Sequence, residues 1–121
     1  MFEVEESIFE KYTIKCSVTK MGNDYNVAVF GGEKAHIGSV VLSLPRESLS
    51  GHGISSTSSV MNVLGHKDEA VARLFAEKIA KEKNCRVVCS CGIHIDNATE
   101  NVLEEINEVV ELLLFKVLEN M

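Results

Sequence analysis

From Tyr12 the chain alternates: Tyr12, Ile14, Cys16 and Val18 are apolar, and Thr13, Lys15, Ser17 and Thr19 between them are polar. A period of two marks a strand with one face in a core and the other in water. Met21-Gly22-Asn23-Asp24 supplies turn chemistry, because Gly and Asn tolerate positive φ. Tyr25, Val27 and Val29 then resume the alternation, so the first two strands read as an antiparallel hairpin. Gly31-Gly32-Glu33-Lys34 breaks the second strand. A third follows from about Ile37 to Leu44, with Val40, Val41 and Leu42 in succession. Such a run predicts a strand covered on both faces. Pro45, the only proline, ends it.

Residues 46–54 read as a surface loop, with glycines on both sides of His52. Ser55-Ser56-Thr57-Ser58-Ser59 is rich enough in hydroxyls for a loop, yet Thr57, Ser59, Met61 and Val63 alternate. The segment is read as a fourth strand with a polar start, its hydroxyls either solvated along an edge or lining a pocket. A helix is predicted from Lys67 to Lys83, where Val71, Leu74, Phe75 and Ile79 make one apolar stripe. Asp68 and Glu69 suit its positive end, Lys81 and Lys83 its negative end, and Asn84 is a C-terminal stop. A fifth strand covers Cys85–Cys91. Asn97 followed by Glu100 resembles a capping box, and a last helix runs from about Thr99 to Asn120.

That last helix is more apolar than one face requires. Val102, Ile106, Val109, Leu113 and Val117 form a stripe, Leu103, Val110, Leu114 and Leu118 widen it, and Leu112 and Phe115 lie further round. This width predicts a homodimer through the helix, or a helix sandwiched deeper in its own fold. The element order is β-β-β-β-α-β-α. The fold class is α+β: a two-layer sandwich with a mainly antiparallel sheet of five or six strands and two packed helices. Residues 1–8 show no clear period and read as a mobile or edge arm. The 121 residues fit a single domain spanning 1–121.

Charge and composition narrow the partners. The formal net charge is −6 and lysines are interleaved with glutamates, which argues against nucleic acid and anionic membrane. No apolar run reaches the ~20 residues of a membrane span. The acidic start, Met1-Phe2-Glu3-Val4-Glu5-Glu6, lacks a signal-peptide pattern, so a cytoplasmic location is expected. Cys16, Cys85, Cys89 and Cys91 lack zinc-finger spacing. Cys89 and Cys91 share a strand face, so buried, reduced thiols are expected.

Three of the four histidines sit at element ends: His36, His66 and His94. Ligands usually bind where such ends meet, so these loops are expected to converge. His36, His66, His94 and Asp96 would then offer three imidazoles and a carboxylate to a divalent metal. Alternatively, Gly31 and Gly32 allow close backbone approach, and the helix start with Lys67 offers N–H groups and a cation to a flavin phosphate. No nucleophile elbow, Walker loop or dinucleotide fingerprint is present, so no catalytic residue is assigned. His94 with Asp96 is a conceivable acid–base pair.

Three motifs carry a family resemblance: His36-Ile37-Gly38-Ser39-Val40, Gly65-His66-Lys67-Asp68 and Gly92-Ile93-His94-Ile95-Asp96-Asn97-Ala98-Thr99. Over residues 10–118 the chain resembles the prenylated-flavin chaperone-like (LpdD-like) proteins, similar to the small D subunit associated with gallate and other hydroxyarylic acid decarboxylases. The resemblance implies a fold similar to the proteasome assembly chaperones. It also implies an accessory role beside a decarboxylase that uses prenylated flavin mononucleotide. His36, Gly65, His66, Lys67, His94, Asp96 and Thr99 are its motif positions, without assigned catalytic roles. Two other readings stay open: a small metal-dependent enzyme, and an assembly module without ligand.

Overall fold

A computed structural model describes residues 1–63 and 67–121; Gly65 and His66, expected at the site, lie outside the described residues. Six strands and two helices follow in the order β1 (Phe2–Ile8), β2 (Tyr12–Met21), β3 (Asp24–Gly32), β4 (Ser39–Glu47), β5 (Ile54–Asn62), α1 (Lys67–Lys83), β6 (Val87–His94) and α2 (Glu100–Glu119). The sheet order is β1-β2-β3-β6-β4-β5. β6 pairs parallel with β3 and antiparallel with β4, so the sheet is mixed. The expected order thus gains one strand at its start. Residues 1–8 are an edge strand, in register with β2 from Phe2 opposite Val18 to Ile8 opposite Tyr12.

The inward positions of the strands carry the core. Ile14, Cys16 and Val18 of β2, Val27 and Val29 of β3, and Val87, Cys89 and Cys91 of β6 are buried. They meet Phe75, Ala76 and Ile79 of α1 and Val110, Leu113 and Val117 of α2. α1 lies over β4, β5 and β6, and α2 lies over β1 and β2. Both helices cover one face of the sheet, and the other face is left open. Lys116 of α2 pairs with Glu6 of β1, fastening the helix to the edge strand.

Three local readings are corrected. β3 does not break at Gly31 but runs on to Gly32, which stands opposite His94. β4 continues through Pro45 to Glu47. Its pairing with β6 ends at Ser43 and only β5 remains alongside, so a residue without N–H is tolerated there. The N-cap of α2 is Thr99, whose Oγ1 accepts from the Val102 N–H at 3.3 Å. Asn97 instead occupies a left-handed turn position at φ 53°, which a short amide side chain tolerates. The serine tract serves the layer contact, since Ser58 Oγ donates to Glu77 Oε2 of α1 at 2.7 Å and shares a 2.7 Å hydrogen bond with Ser43.

Candidate functional site

The topology creates the site. Because β6 is inserted between β3 and β4, the connection from β3 to β4 must pass across the end of β6. Its backbone is tied down there: Glu33 N–H donates to the His94 carbonyl at 2.7 Å and Gly38 N–H to the Cys91 carbonyl at 2.8 Å. The approach is too close for a side chain at Gly92, where a Cβ would lie 1.7 Å from the His36 carbonyl oxygen. This crossing brings His36 beside His94, with ring centroids 6.3 Å apart and planes at 80°.

Each imidazole has its own carboxylate. His94 Nε2 lies 2.7 Å from Asp96 Oδ1. His36 Nε2 lies 3.2 Å from Asp68 Oδ2, while its Nδ1 is 3.3 Å from the Lys34 carbonyl. A ring facing two acceptors satisfies both only with a proton on each nitrogen. The His94 hydrogen bond holds the Asp96 carboxyl below its ordinary range, helped by Glu33 and by the charges of His94 and Lys34.

Asp68 is not among the expected site residues. It is 7% exposed in the first turn of α1, where the helix dipole favours a negative charge. Its Oδ1 accepts the Ile93 N–H at 3.0 Å and its Oδ2 faces His36. A Cβ at Gly38 would sit 2.0 Å from Oδ2. One carboxylate therefore joins α1, β6 and the crossing loop. Burial raises the Cys91 thiol pKa, and the nearby Asp68 charge adds to the rise.

Beside this cluster a cleft of about 300 Å³ opens between the first turns of the two helices and the end of β6. Val71, Ile93, Ile95, Leu103 and Ile106 give it apolar walls, and Lys67, Asp68, His94 and Asn107 give it polar groups. Of the expected residues, Lys67 and His94 line the cleft, His36 and Asp96 flank it through their partners, and Thr99 caps the helix bordering it. Gly31 and Gly32 do not line this cleft: Cβ atoms there would meet the Thr13 carbonyl at 2.1 Å and the His94 carbonyl at 2.4 Å, and the two glycines border a separate hollow with Tyr12, Thr13 and Lys15. The serine tract lies elsewhere, with Ser55 and Ser56 in a separate hollow beside Glu77. Among the described residues, no group of three or more His, Cys, Asp and Glu side chains is arranged to hold a metal ion.

A family model described as the prenylated flavin chaperone LpdD-like domain matches residues 9–121. The chain belongs to this family. No curated protein matches it. Among solved structures, this LpdD-like chain is similar to one from a novel chaperone complex for yeast 20S proteasome assembly, at a TM-score of 0.61 and 11% identity, covering 98% of this chain and 95% of that one. At that identity the likeness shows the shared α+β fold. The match supports the fold that the family resemblance implied.

Proposed function

We propose that this protein is a non-catalytic accessory protein that handles prenylated flavin mononucleotide for a non-oxidative hydroxyarylic acid decarboxylase in the cytoplasm. The observation that carries the reading is the cleft. Its volume lies at the lower end of the ~300–1,000 Å³ range of small-molecule sites, enough for a fused ring system with its phosphate chain outside. The apolar walls of Val71, Ile93, Ile95, Leu103 and Ile106 suit the dimethylated ring and its prenyl addition. The N-terminal ends of α1 and α2 flank the mouth, and Lys67 stands there as a cation. That combination favours a phosphate. The residues thus fit both the apolar and the anionic parts of the cofactor. When bound, the prenylated flavin supplies the electron sink for decarboxylation on the partner enzyme. This chain's residues bind and orient it.

Anaerobic fluorescence titration with reduced prenylated flavin mononucleotide tests the reading. We expect saturable binding, and Lys67→Glu is expected to weaken it about tenfold, the loss of roughly one charge-assisted contact. Absence of binding at ~100 µM ligand, well above ordinary cofactor affinities, would exclude direct cofactor handling if decarboxylase loading were also unchanged without this protein. If metal analysis of untagged protein found a stoichiometric divalent ion, the metal-dependent reading through His36, His66, His94 and Asp96 would take precedence.

A further inference from the structure

The two edges of the sheet differ in composition. β1 forms one edge with seven residues, of which Glu3, Glu5 and Glu6 are charged. Charged side chains keep a free edge from pairing with another strand. β5 forms the other edge with nine residues, none of them charged and none proline. Its pairing with β4 shows which of its main-chain groups are free. The Ser48 N–H donates to the Gly53 carbonyl at 3.0 Å and the Val63 N–H to the Gly38 carbonyl at 2.8 Å, and the register between them has no bulge. In an antiparallel pair the hydrogen-bonded residues alternate. Ser55, Thr57, Ser59 and Met61 therefore turn their N–H and C=O groups toward β4. Pro45, which has no N–H, falls opposite Ser56, where this alternation asks for no bond. Ile54, Ser56, Ser58, Val60 and Asn62 turn their groups outward, and none of these bonds to a described residue.

The side chains of the same residues point toward α1. Ser58 Oγ donates to Glu77 Oε2 and Asn62 Nδ2 to Glu69 Oε1, each at 2.7 Å, and Val60 packs against the core. Beside Ser55 and Ser56 a hollow of about 320 Å³ opens between strand and helix, lined by Leu74, Glu77, Lys78 and Lys81. Glu77 is met by Ser58 and Arg73, and Lys78 by Glu82. Lys81 has no carboxylate partner among the described residues.

We propose that the free edge of β5 docks an extended segment of another protein, which joins the sheet as a further strand and carries a carboxylate opposite Ser56. The main chain selects an extended backbone, because a strand in register pairs the outward N–H and C=O groups all along the edge. The hollow selects the side chain. Residues directly opposite on adjacent strands share a face, so the one opposite Ser56 points toward Leu74 and Lys81. Its stem rests on an apolar residue and its charge meets an unpaired cation. A second copy of this chain is a poorer occupant. β5 itself has no carboxylate to bring to Lys81. β1 is acidic, but adding it to β5 joins copies head to tail and builds an open fibre instead of a closed complex.

Amide hydrogen exchange of the full chain, read by nuclear magnetic resonance, tests the proposal. In the free protein the N–H groups of Ser56, Ser58 and Val60 are expected to exchange about tenfold faster than those of Thr57, Ser59 and Met61. The probe is an acetylated and amidated peptide, Thr-Val-Thr-Glu-Thr-Val-Thr, whose Val and Glu side chains share one face. Its addition is expected to slow the outward amides several-fold and to leave the inner ones unchanged. Replacing its Glu by Lys is expected to weaken binding about tenfold, as is Lys81→Glu, and the two changes together to restore it. Methylating alternate peptide nitrogens, which removes the donors on one edge of the probe, is expected to abolish binding when those donors face β5. Equal exchange of the two sets in the free protein would mean a covered edge and overturn the proposal. So would no protection at ~1 mM probe, a concentration at which even weak contacts register, or equal binding of the Glu and Lys probes. Outward amides that are slow without peptide and quicken on dilution would make a second copy the occupant and overturn it too. The cleft lies at the first turns of the helices, so Lys81→Glu is expected to leave the flavin titration unchanged, and failure here is distinct from failure of cofactor binding.

Discussion

Asp68 shows how one buried side chain organises this site. Its two oxygens take the Ile93 N–H and face His36. Asp68→Ala leaves a strand N–H without an acceptor and removes the partner of His36. We expect a loss of about 2–3 kcal/mol and a fall in melting temperature of roughly 10 °C, read by calorimetry. Asp68→Asn keeps an acceptor for Ile93 and is expected to cost less. Gly92→Ala attacks the same junction from the other side, because the added carbon collides with the His36 carbonyl. The crossing loop must shift, at about 1–3 kcal/mol, and the His36–His94 ring contact is expected to vanish from the nuclear Overhauser spectrum.

Asp96 makes a separate prediction about pH. Its carboxyl is held below the ordinary range, first by the hydrogen bond to His94, then by Glu33 and the charges of His94 and Lys34. The folded chain thus takes up this proton less readily than the unfolded chain. The resulting stabilisation is complete above the unfolded carboxylate pKa of ~3.9 and is lost as pH falls through the lower folded value. In His94→Ala the carbon-13 titration of Asp96 is expected to move up toward ~3.9. An unchanged midpoint would show that His94 does not hold it.

At the scale of elements, the first hairpin carries a local misfit. Phe9 and Glu10 sit at φ 49° and 56°, and the Lys11 N–H donates to the Ile8 carbonyl at 3.0 Å. Two consecutive left-handed residues are the geometry of a type I′ turn, for which Asn-Gly is the favoured pair. Replacing Phe9-Glu10 by Asn-Gly is expected to stabilise the chain by about 1–2 kcal/mol in urea unfolding, because the left-handed cost is relieved. The same misfit explains why β1 is hard to read from sequence: no turn residue announces its hairpin. The turn at Gly22-Asn23 is legible, since Gly22 takes φ 63° between paired Met21 and Asp24. Asn84 likewise stops α1 with φ 49°. The extent of β6 was not legible, because Gly92 reads as punctuation. Its glycine instead serves a close crossing inside a strand.

At the scale of the molecule, two helices lie on one face of the sheet and their N-terminal ends border the cleft. A ligand bridging them stabilises only the folded chain. At a hundredfold excess over its dissociation constant, prenylated flavin mononucleotide is expected to add about 2.7 kcal/mol and raise the melting temperature by several degrees. Lys67→Glu should reduce that rise, and an unmoved transition would count against the cleft as the binding place. Buried thiols give a second global readout. Burial pushes Cys16 up to about 12, with the Glu3 charge contributing, and raises Cys89 as well. Native protein is therefore expected to react with a thiol reagent at pH 8 only as fast as it unfolds.

The alternation from Tyr12 to Val29, the stripes of both helices and the stops at Gly22 and Asn84 are local patterns, and the sequence alone determined the elements that follow from them. The wide apolar content of α2 and the Val40-Val41-Leu42 run are equally local, but the core buries only part of each: Val41, Val110, Leu113 and Val117 go in, and Leu42, Leu112 and Phe115 stay exposed. Only the tertiary structure decided that β6 enters between β3 and β4, that the intervening loop crosses its end, and that Asp68 meets His36 there. The physical reason is that strand neighbours are joined by backbone hydrogen bonds, which every residue but proline offers alike. Sequence specifies which face of a strand is buried, whereas the partner along its edge is settled only when the whole sheet closes over its helices.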